Sequence, residues 1–598
     1  MKIAIVTTPI RPVPTAFPPL GSMAIIQSLR QIGIQCYFYH IDYHRYPREE
    51  VEKYFKKNNF DIVGISAVVS TAYEYTKFLS LTIKSINPKT KVIVGGGLAA
   101  SAEILHRKSE VDYTIVGDGE IIIKNLVRAL IENKVDDDDL LKIKGITFID
   151  KNNKFRFTGY EHPVPAPLLE SPDFEILRKD GSLDYYIADR GGRTYDPDKS
   201  YTGGKTAVVV VAKGCVARCT FCHRFEKGYR VSPLENIKKH LINLKNKYGV
   251  GYISIGDENF GSYKQETLEL AKMLGDLGFT WSVGGVRAQT VDCDSLKYWK
   301  KNGCENILFG IESGSPKMLK VMEKKITLEQ NIKALKDTYD AGLSTVIQLV
   351  IAMPGETDET IEETISFLIK TMDYYPDPFR NKINYLLSVN YAQSLPGTPL
   401  YEYARENGYI KKNLDDEEKY LISISDKDAY DNDHFINFTK QPLLKVYTWR
   451  YLINWKIFRE HAKRNLKIKL SKITILKGVL CMIINKKFKT KIKSDLEQEL
   501  LKFKYNNAKS PYYNFQVLPK TLDGFRLLIP WNKYTYPFFC LLIAYREAKN
   551  ITWFFKMITE HIFWSFKKFD PTDLPTETLR RVVKISDNDE TLELRKGR

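Results

Sequence analysis

Three cysteines on one short stretch are the side chains of this sequence best suited to chemistry. Cys215, Cys219 and Cys222 have the spacing C-x3-C-x2-C and follow a continuous apolar run at 207–212. Three thiolates on one loop can bind three corners of a cubic iron–sulfur cluster and leave the fourth iron without a protein ligand. A metal centre with an open position is typical of a catalytic site rather than a structural one.

Two other uses of these cysteines fit the spacing less well. A structural zinc site needs four ligands, and the candidate fourth ligand, His223, directly adjoins Cys222, which makes its geometry awkward. A disulfide framework is disfavoured because the motif has an odd number of thiols and the chain has 8 Cys in 598 residues. The spacing therefore predicts a [4Fe-4S] cluster.

The motif, with the aromatic Phe221 just before its last cysteine, resembles the signature of the radical S-adenosylmethionine (SAM) superfamily. The resemblance implies that the open iron chelates the amino and carboxylate groups of SAM. One-electron reduction, by a donor such as flavodoxin or ferredoxin, then cleaves SAM to a 5′-deoxyadenosyl radical, which abstracts a substrate hydrogen. The cofactor supplies the difficult chemistry, and the protein orients and shields it.

Strands and helices alternate from the cysteine motif onward. Repeated strand–helix units form parallel sheets, so they predict a partial (β/α)6 barrel with its site at the carboxyl ends of the strands. Ser232 and Glu235 predict a capping box on the first helix, which Gly249 ends. Thr327 and Gln330 predict a second capping box. The predicted strands are 207–213, 252–256, 281–286, 306–312, 344–352 and 383–390.

Polar residues and turns at the ends of these strands match the SAM-binding positions of the superfamily. The resemblance implies that Asp257 or Glu258 receives the SAM amino group and that Glu312 meets ribose or amino groups. It also implies that Arg287 holds a carboxylate and that Pro354–Gly355 packs beside the adenine. Each residue alone is equally consistent with a surface acid or a turn, so the prediction depends on their order along the strands.

A second alternating unit precedes the barrel. Its strands are largely continuous and apolar, which predicts a five-stranded, doubly wound parallel sheet covered on both faces. Such a sheet binds ligands at its carboxyl edge. The predicted strands are 2–7, 35–41, 61–66, 91–96 and 112–116.

In front of a radical SAM domain, this unit resembles a cobalamin-binding domain. Glycines at its turns would let the backbone approach a large flat ring. The motif Asp-x-His-x-x-Gly is absent, so the resemblance implies cobalamin without a protein ligand to cobalt, and an empty or repurposed cleft is the alternative. The expected contact residues are Leu20, Gly21, Ser66, Gly95, Gly96, Gly97, Gly117 and Gly119.

The length of this α/β chain is sufficient for three domains, and its strand and helix patterns divide it into four regions. The first, 1–135, is a cobalamin-binding-like doubly wound domain, and 136–200 is a hairpin and linker. The radical SAM partial barrel follows at 201–410, and 411–598 is a basic, mainly helical domain.

Positive charge concentrates near the carboxyl terminus. The formal net charge is +18, and residues 441–510 contain 18 Lys and Arg against 4 Asp and Glu, interleaved with aromatic residues. The preferred interpretation is a solvated lysine-rich face in a domain that covers the barrel mouth. Peripheral contact with anionic lipid is the second interpretation, and nucleic acid is disfavoured because charge alone specifies no partner.

The absence of a signal sequence, sparse cysteines and a reduced-thiol motif predict a cytoplasmic location, with membrane association as an open alternative. No apolar stretch in the sequence approaches the ~20 residues that a membrane helix needs. Since exposed clusters of this kind are oxygen-sensitive in the superfamily, the resemblance also implies anaerobic or microaerobic function.

The leading hypothesis is a cobalamin-dependent radical SAM enzyme that methylates an unactivated carbon of a small-molecule or peptide substrate. The alternative is cyclisation or rearrangement without net methylation, as in the anaerobic magnesium-protoporphyrin monomethyl ester cyclase. A tRNA methylthiotransferase is disfavoured because residues 1–131 contain a single cysteine, Cys36, where that group has further cluster ligands. A cluster-bearing sensor or scaffold is the non-enzymatic hypothesis.

Overall fold

A computed structural model describes most of the chain. The described residues are 1–188, 204–223, 228–374, 387–429, 431–432, 434–465, 531–566, 569–585 and 594. They form two parallel sheets with helices on their faces and a mainly helical carboxyl-terminal region, which confirms the predicted fold class.

The amino-terminal sheet has the strand order β2-β1-β3-β4-β5-β6-β7. Its first five strands are parallel, as predicted, while β6 and β7 form a hairpin that adds antiparallel strands beside β5. The predicted hairpin therefore extends this sheet. The strands are β1 Ile3–Thr7, β2 Cys36–His40, β3 Ile62–Ser66, β4 Lys91–Gly95, β5 Tyr113–Ile115, β6 Ile146–Ile149 and β7 Phe155–Phe157.

Both faces of this sheet are buried, as continuous apolar strands require. In β1, Ile3 and Ile5 join one hydrophobic cluster, whereas Ala4 and Val6 join another. The helices here are α1 Leu20–Arg30, α2 Ile41–His44, α3 Arg48–Lys57, α4 Tyr73–Ile86, α5 Ala102–Lys108, α6 Gly119–Ile131, α7 Asp137–Leu140, α8 Glu175–Asp180 and α9 Leu183–Tyr186.

The second sheet is the predicted partial barrel. Its six parallel strands run in the order β15-β14-β13-β12-β11-β8, and a short antiparallel pair, β9 with β10, follows β8. The strands are β8 Lys205–Val209, β9 Ala212–Lys213, β10 Arg230–Val231, β11 Val250–Ile255, β12 Thr280–Val286, β13 Cys304–Glu312, β14 Ser344–Ile351 and β15 Leu387–Tyr391. The helices between them are α10 Leu234–Tyr248, α11 Lys264–Asp276, α12 Cys293–Lys301, α13 Pro316–Val321, α14 Leu328–Asp340 and α15 Asp358–Thr371.

The capping prediction for the first barrel helix is wrong. The residue before α10 is Pro233, and no side chain caps the helix, so Ser232 and Glu235 form no capping box. The Ser232 N–H instead donates to the Val211 carbonyl at 2.9 Å, which keeps the chain extended up to the proline. The capping box of Thr327 and Gln330 on α14 is confirmed.

The carboxyl-terminal helices pack against helices of both domains. They are α16 Pro399–Glu406, α17 Leu414–Ile424, α18 Leu443–Asn465, α19 Tyr536–Glu547, α20 Ile551–Ser565 and α21 Leu579–Val582. In α17, Glu418 pairs with Lys77 of α4 at 2.6 Å, and in α18 the Trp449 indole donates to Asp358 of α15 at 2.7 Å. None of the helices within the described ranges combines the length and apolarity that crossing a bilayer requires.

The described part of the basic segment, 441–465, packs into the protein core. Tyr447, Trp449 and Trp455 are buried, so these aromatic side chains are not available to a lipid surface. Lys445 and Lys456 make ion pairs with the acidic residues of α15 at 2.8 and 2.5 Å. The remainder of the segment, 466–510, lies outside the described residues.

Candidate active site at the facing sheet edges

The cysteine motif lies on the loop that connects β9 to β10 at the carboxyl end of β8. Thr220 anchors this loop to the barrel. Its N–H donates to the Met322 carbonyl at 2.9 Å, its hydroxyl donates to the Val321 carbonyl at 3.1 Å, and its carbonyl accepts from the Leu400 N–H at 2.9 Å. These bonds position the thiols over the barrel mouth.

The three thiols lie close enough to influence one another. Burial raises the pKa of Cys215, and the neighbouring Cys219 raises it further. Surrounding protein raises the pKa of Cys222 to about 12, with Cys219 and Glu258 adding to the effect. The free thiols of Cys215 and Cys222 are therefore protonated at neutral pH, and binding of iron to them would release their protons.

Two adjacent acids at the end of β11 have different environments. Asp257 is buried, and its Oδ1 accepts from the Val211 and Ala212 N–H groups at 2.8 and 3.3 Å. Glu258 is exposed, and its charge raises the pKa values of Cys215 and Cys222. Asp257 thus supports the strand that precedes the cysteine loop, while Glu258 is the carboxylate that faces the thiols.

Arg287, at the end of β12, lies beside the cysteine loop. It is 8% exposed, its Nη1 lies 3.9 Å from the Cys219 sulfur, and its Nη2 donates to the Lys324 carbonyl at 2.5 Å. The prediction that Arg287 holds a SAM carboxylate therefore competes with a contact to Cys219, a predicted cluster ligand.

Glu312, at the end of β13, forms a buried ion pair with Lys324 at 2.9 Å. Burial alone would lower the pKa of Lys324, but the Glu312 carboxylate and the Cys219 thiol outweigh it and raise that pKa. Gly310 leaves room for the pair, because a Cβ there would lie 2.5 Å from the Glu312 Oε1. Glu312 itself has a φ of 66°, a left-handed conformation that an L-residue adopts at a cost.

Sequence reasoning missed Lys324. It lies in the charged run 323–325, a composition typical of a solvated turn, and no motif marks it. Only the approach of this turn to β12 and the cysteine loop shows that it is buried.

The segment after β14 packs against the carboxyl-terminal region. Gly355 has a φ of 93°, and a Cβ at this position would lie 2.5 Å from the Pro575 carbonyl oxygen. The next residue, Glu356, is buried, and its pKa is raised to about 7 by that burial although it accepts a hydrogen bond from Thr360 at 2.8 Å. The carboxyl-terminal region therefore reaches the mouth of the barrel, where Pro354–Gly355 is expected to lie beside adenine.

The residues predicted for cobalamin fall into two groups. Five of them lie at the carboxyl edge of the amino-terminal sheet or at the start of α1; these are Leu20, Gly21, Ser66, Gly95 and Gly117. A Cβ on Gly21 or Gly117 would meet no atom within 4 Å and one on Gly95 would lie 4.0 Å from Ile115, whereas Leu20 packs partly against the hydrophobic core. The other three support close packing. A Cβ on Gly96 or Gly97 would lie 2.5 Å from the carbonyl oxygen of Ala67 or Val68, and one on Gly119 would lie 2.8 Å from Ile25.

The carboxyl edges of the two sheets face each other across the cysteine loop. Asp118, after β5, binds Arg230 of β10 at 2.7 Å and lies 3.7 Å from Lys213 of β9, so it clamps both strands that carry the loop. Glu120 also pairs with Lys213. The predicted cobalamin turn 117–120 therefore holds the base of the cysteine loop.

His223 occupies the junction between the two edges. The Cβ position of Gly97 lies 3.4 Å from its Nδ1, and that of Gly397 lies 2.6 Å from its Cδ2. Burial lowers the pKa of His223 to about 4, so the imidazole is neutral at physiological pH. Its ring lies between Gly97 of the amino-terminal domain and Gly397, which follows β15.

These residues fit the two predicted cofactors. Three mutually close thiols with a buried cation behind one of them suit a cluster with three protein ligands. Open glycine backbone at the carboxyl edge of a doubly wound sheet, facing that loop, suits a large planar ring.

Comparison with known proteins agrees with this geometry. The radical SAM superfamily profile matches residues 209–368, and the B12 binding domain profile matches residues 7–127. An uncharacterized methyltransferase of Pyrococcus horikoshii, PH0819, is 30% identical over 380 residues, which cover 60% of this chain and 73% of the relative. The anaerobic magnesium-protoporphyrin IX monomethyl ester cyclase of Rubrivivax gelatinosus is 25% identical over 414 residues, which cover 68% of this chain and 69% of the relative.

The fold also resembles a solved structure, that of the cobalamin-dependent SAM radical enzyme OxsB with aqua-cobalamin and SAM bound. The TM-score is 0.58 at 14% identity, and the match covers 98% of this chain and 84% of OxsB. The chain belongs to the radical SAM superfamily and carries a B12 binding domain. It is a radical SAM enzyme whose cofactors are a [4Fe-4S] cluster, SAM and cobalamin.

The close packing of the His223 ring predicts a steric effect of substitution at Gly397. Gly397→Ala places a Cβ 2.6 Å from the imidazole, and we expect overpacking to cost about 1–3 kcal/mol beyond the backbone cost of a left-handed alanine. Gly408→Ala is the matched control, because Gly408 has a similar φ of 72° and open space around its Cβ position. Thermal denaturation and iron content after anoxic reconstitution measure the difference.

The same steric argument predicts that a second substitution restores stability. Adding His223→Ala to the Gly397→Ala variant removes the colliding ring, so the double variant should regain most of the lost stability. Equal thermal midpoints for the two glycine variants would contradict the steric argument.

The burial of Asp257 predicts a pH effect on stability. Its pKa is raised to about 7, by burial first and then by Glu258, so the native state retains a proton that the unfolded state releases. The stability contribution of Asp257 therefore falls as pH rises from about 4 to 7 and is constant above that. Asp257→Asn removes this fall, and the variant should gain about 2–3 kcal/mol relative to the wild type between pH ~5 and ~7.

Denaturant titrations of the apoprotein at several pH values measure this gain. Asp138→Asn, at an exposed acid of α7, is the control and should follow the wild type. Parallel pH profiles for the wild type and Asp257→Asn would show that Asp257 is ionised in the folded protein.

Proposed function

We propose that this chain is a cobalamin-dependent radical SAM methyltransferase that acts on an unactivated carbon. The observation that carries the proposal is the pair of contacts from Asp118 to Arg230 of β10 and Lys213 of β9. They join the carboxyl edge of the B12 binding domain to the cysteine loop. A substrate between the edges would lie within reach of both cofactors. The Pyrococcus relative, itself named a methyltransferase, supports this reaction class.

When bound, the cluster and SAM supply a hydrogen-abstracting radical, and cobalamin supplies a transferable methyl group. Cys215, Cys219 and Cys222 would hold the cluster, and the exposed carboxylate of Glu258 would accept the SAM ammonium by a charge-assisted hydrogen bond. Glu312, fixed by Lys324, would orient the ribose.

The barrel mouth has a further cover that suits radical chemistry. The carboxyl-terminal region meets the end of β14 through Pro575 at Gly355, and Arg580 of α21 binds Glu323 at 3.0 Å beside the buried Lys324. Exclusion of water at this position would protect a reactive carbon centre from side reactions. We propose that the substrate, a small molecule or a peptide, enters between this cover and the amino-terminal sheet edge.

A second candidate function is cyclisation or rearrangement without net methylation. The observation that favours it is the similarity to the Rubrivivax cyclase, which extends over 68% of this chain. Either reaction requires a one-electron donor, for which we propose a flavodoxin or a ferredoxin.

The fate of SAM separates the two functions. The anoxically reconstituted protein with cobalamin, a reductant and SAM deuterated in its methyl group should form both S-adenosylhomocysteine and 5′-deoxyadenosine. S-adenosylhomocysteine should depend on added cobalamin, and a candidate substrate should gain the mass of one labelled methyl group. Formation of 5′-deoxyadenosine without S-adenosylhomocysteine would contradict methyl transfer and support the cyclase alternative.

Cys219→Ala is the matched control for this measurement. The thiol is buried in a loop that Thr220 anchors, so the small side chain should leave the fold intact. The variant should lose 5′-deoxyadenosine formation entirely, and retention of that product would overturn the cluster assignment. Far-UV circular dichroism checks that the fold persists.

A further inference from the structure

Arg287 is a buried cation without an acidic partner among the described residues. It is 8% exposed, and its described contacts are the Lys324 carbonyl at 2.5 Å and the Cys219 sulfur at 3.9 Å. Its Nε is buried without a hydrogen-bond partner in the described structure. Burial of an uncompensated charge is expensive, so this guanidinium requires an anion nearby.

The neighbouring acid is already engaged. Glu312 pairs with Lys324 at 2.9 Å, and both side chains are about one-tenth exposed. The charges of Glu312 and Lys324 neutralise each other, so neither side chain compensates the positive charge of Arg287. The described contact of Arg287 that can become anionic is the Cys219 sulfur, which is a thiolate when it binds iron.

We propose that Arg287 donates an N–H···S hydrogen bond to the Cys219 thiolate of the cluster and thereby raises the reduction potential of that cluster. Arg287 is then a positioning and tuning residue of the cluster rather than a ligand of the SAM carboxylate. The inference depends on the cluster but not on methyl transfer, so it holds equally for a cyclase.

The direction of the change in reduction potential follows from electrostatics. Reduction adds one negative charge to the cluster, and a fixed positive charge beside a cluster sulfur stabilises the reduced form more than the oxidised form. Burial strengthens this effect, because few water molecules screen it. Hydrogen bonds to cluster sulfurs act in the same direction.

A redox titration of the anoxically reconstituted full chain, without SAM, tests the proposal. The reduced cluster is quantified by electron paramagnetic resonance in the wild type, Arg287→Gln and Arg287→Lys. At a fixed solution potential, Arg287→Gln should show about a tenfold smaller ratio of reduced to oxidised cluster, which is about 59 mV for a one-electron couple. Arg287→Lys keeps the charge but loses the planar guanidinium, so its ratio of reduced to oxidised cluster should lie between those of the wild type and Arg287→Gln.

Arg178→Gln is the control, because Arg178 is an exposed arginine of α8 whose partner is Glu175. Its potential should equal that of the wild type. An unchanged potential in Arg287→Gln at normal iron content would overturn the proposal. So would a SAM affinity more than tenfold weaker with an unchanged potential, because that result identifies a SAM carboxylate ligand.

A measurement on the unaltered protein covers the case in which the variants bind too little iron. Wild-type protein labelled with ¹⁵N-arginine should show a ¹⁵N hyperfine coupling to the reduced cluster in pulsed paramagnetic resonance. The coupling should persist in Arg218→Lys, which removes the arginine inside the cysteine loop. Absence of the coupling in the wild type, or its loss in Arg218→Lys, would refute the contact from Arg287.

Discussion

The organisation of the site depends on the ion pair between Asp118 and Arg230. Asp118 belongs to the amino-terminal domain, and Arg230 lies in β10, at the end of the cluster loop. Both side chains are largely buried, and Lys213 of β9 is 3.7 Å from the same carboxylate. Removal of one partner of a buried pair typically costs about 3–5 kcal/mol, so this contact holds the two domains in register at the facing carboxyl edges of their sheets.

The facing edges explain why one framework can serve more than one reaction. Ligand sites in doubly wound sheets and in barrels lie at the carboxyl ends of parallel strands. Here those ends converge from two domains, with His223 packed at their junction. The loops that surround the space between them, including the carboxyl-terminal cover at Pro575, are the parts that can change with substrate.

Much of the fold could be predicted because buried parallel strands are continuous apolar runs. The five amino-terminal strands and the described barrel strands lie within a few residues of their predicted positions. The capping box on α14 was equally local and is confirmed, whereas the box at Ser232 was overridden by a bond from its N–H to Val211. A local signal fails where a residue distant in the chain offers a better partner.

The sequence by itself determined that three thiols share one loop, because they lie within eight residues of one another whatever the rest of the chain does. It also determined the two sheets, because their buried strands are continuous apolar runs. Only the tertiary structure decided that Asp257 supports the backbone while Glu258 faces the thiols, and that Lys324 is buried. It alone joined Asp118 to Arg230, 112 residues apart, because burial and charge pairing depend on which distant segments meet.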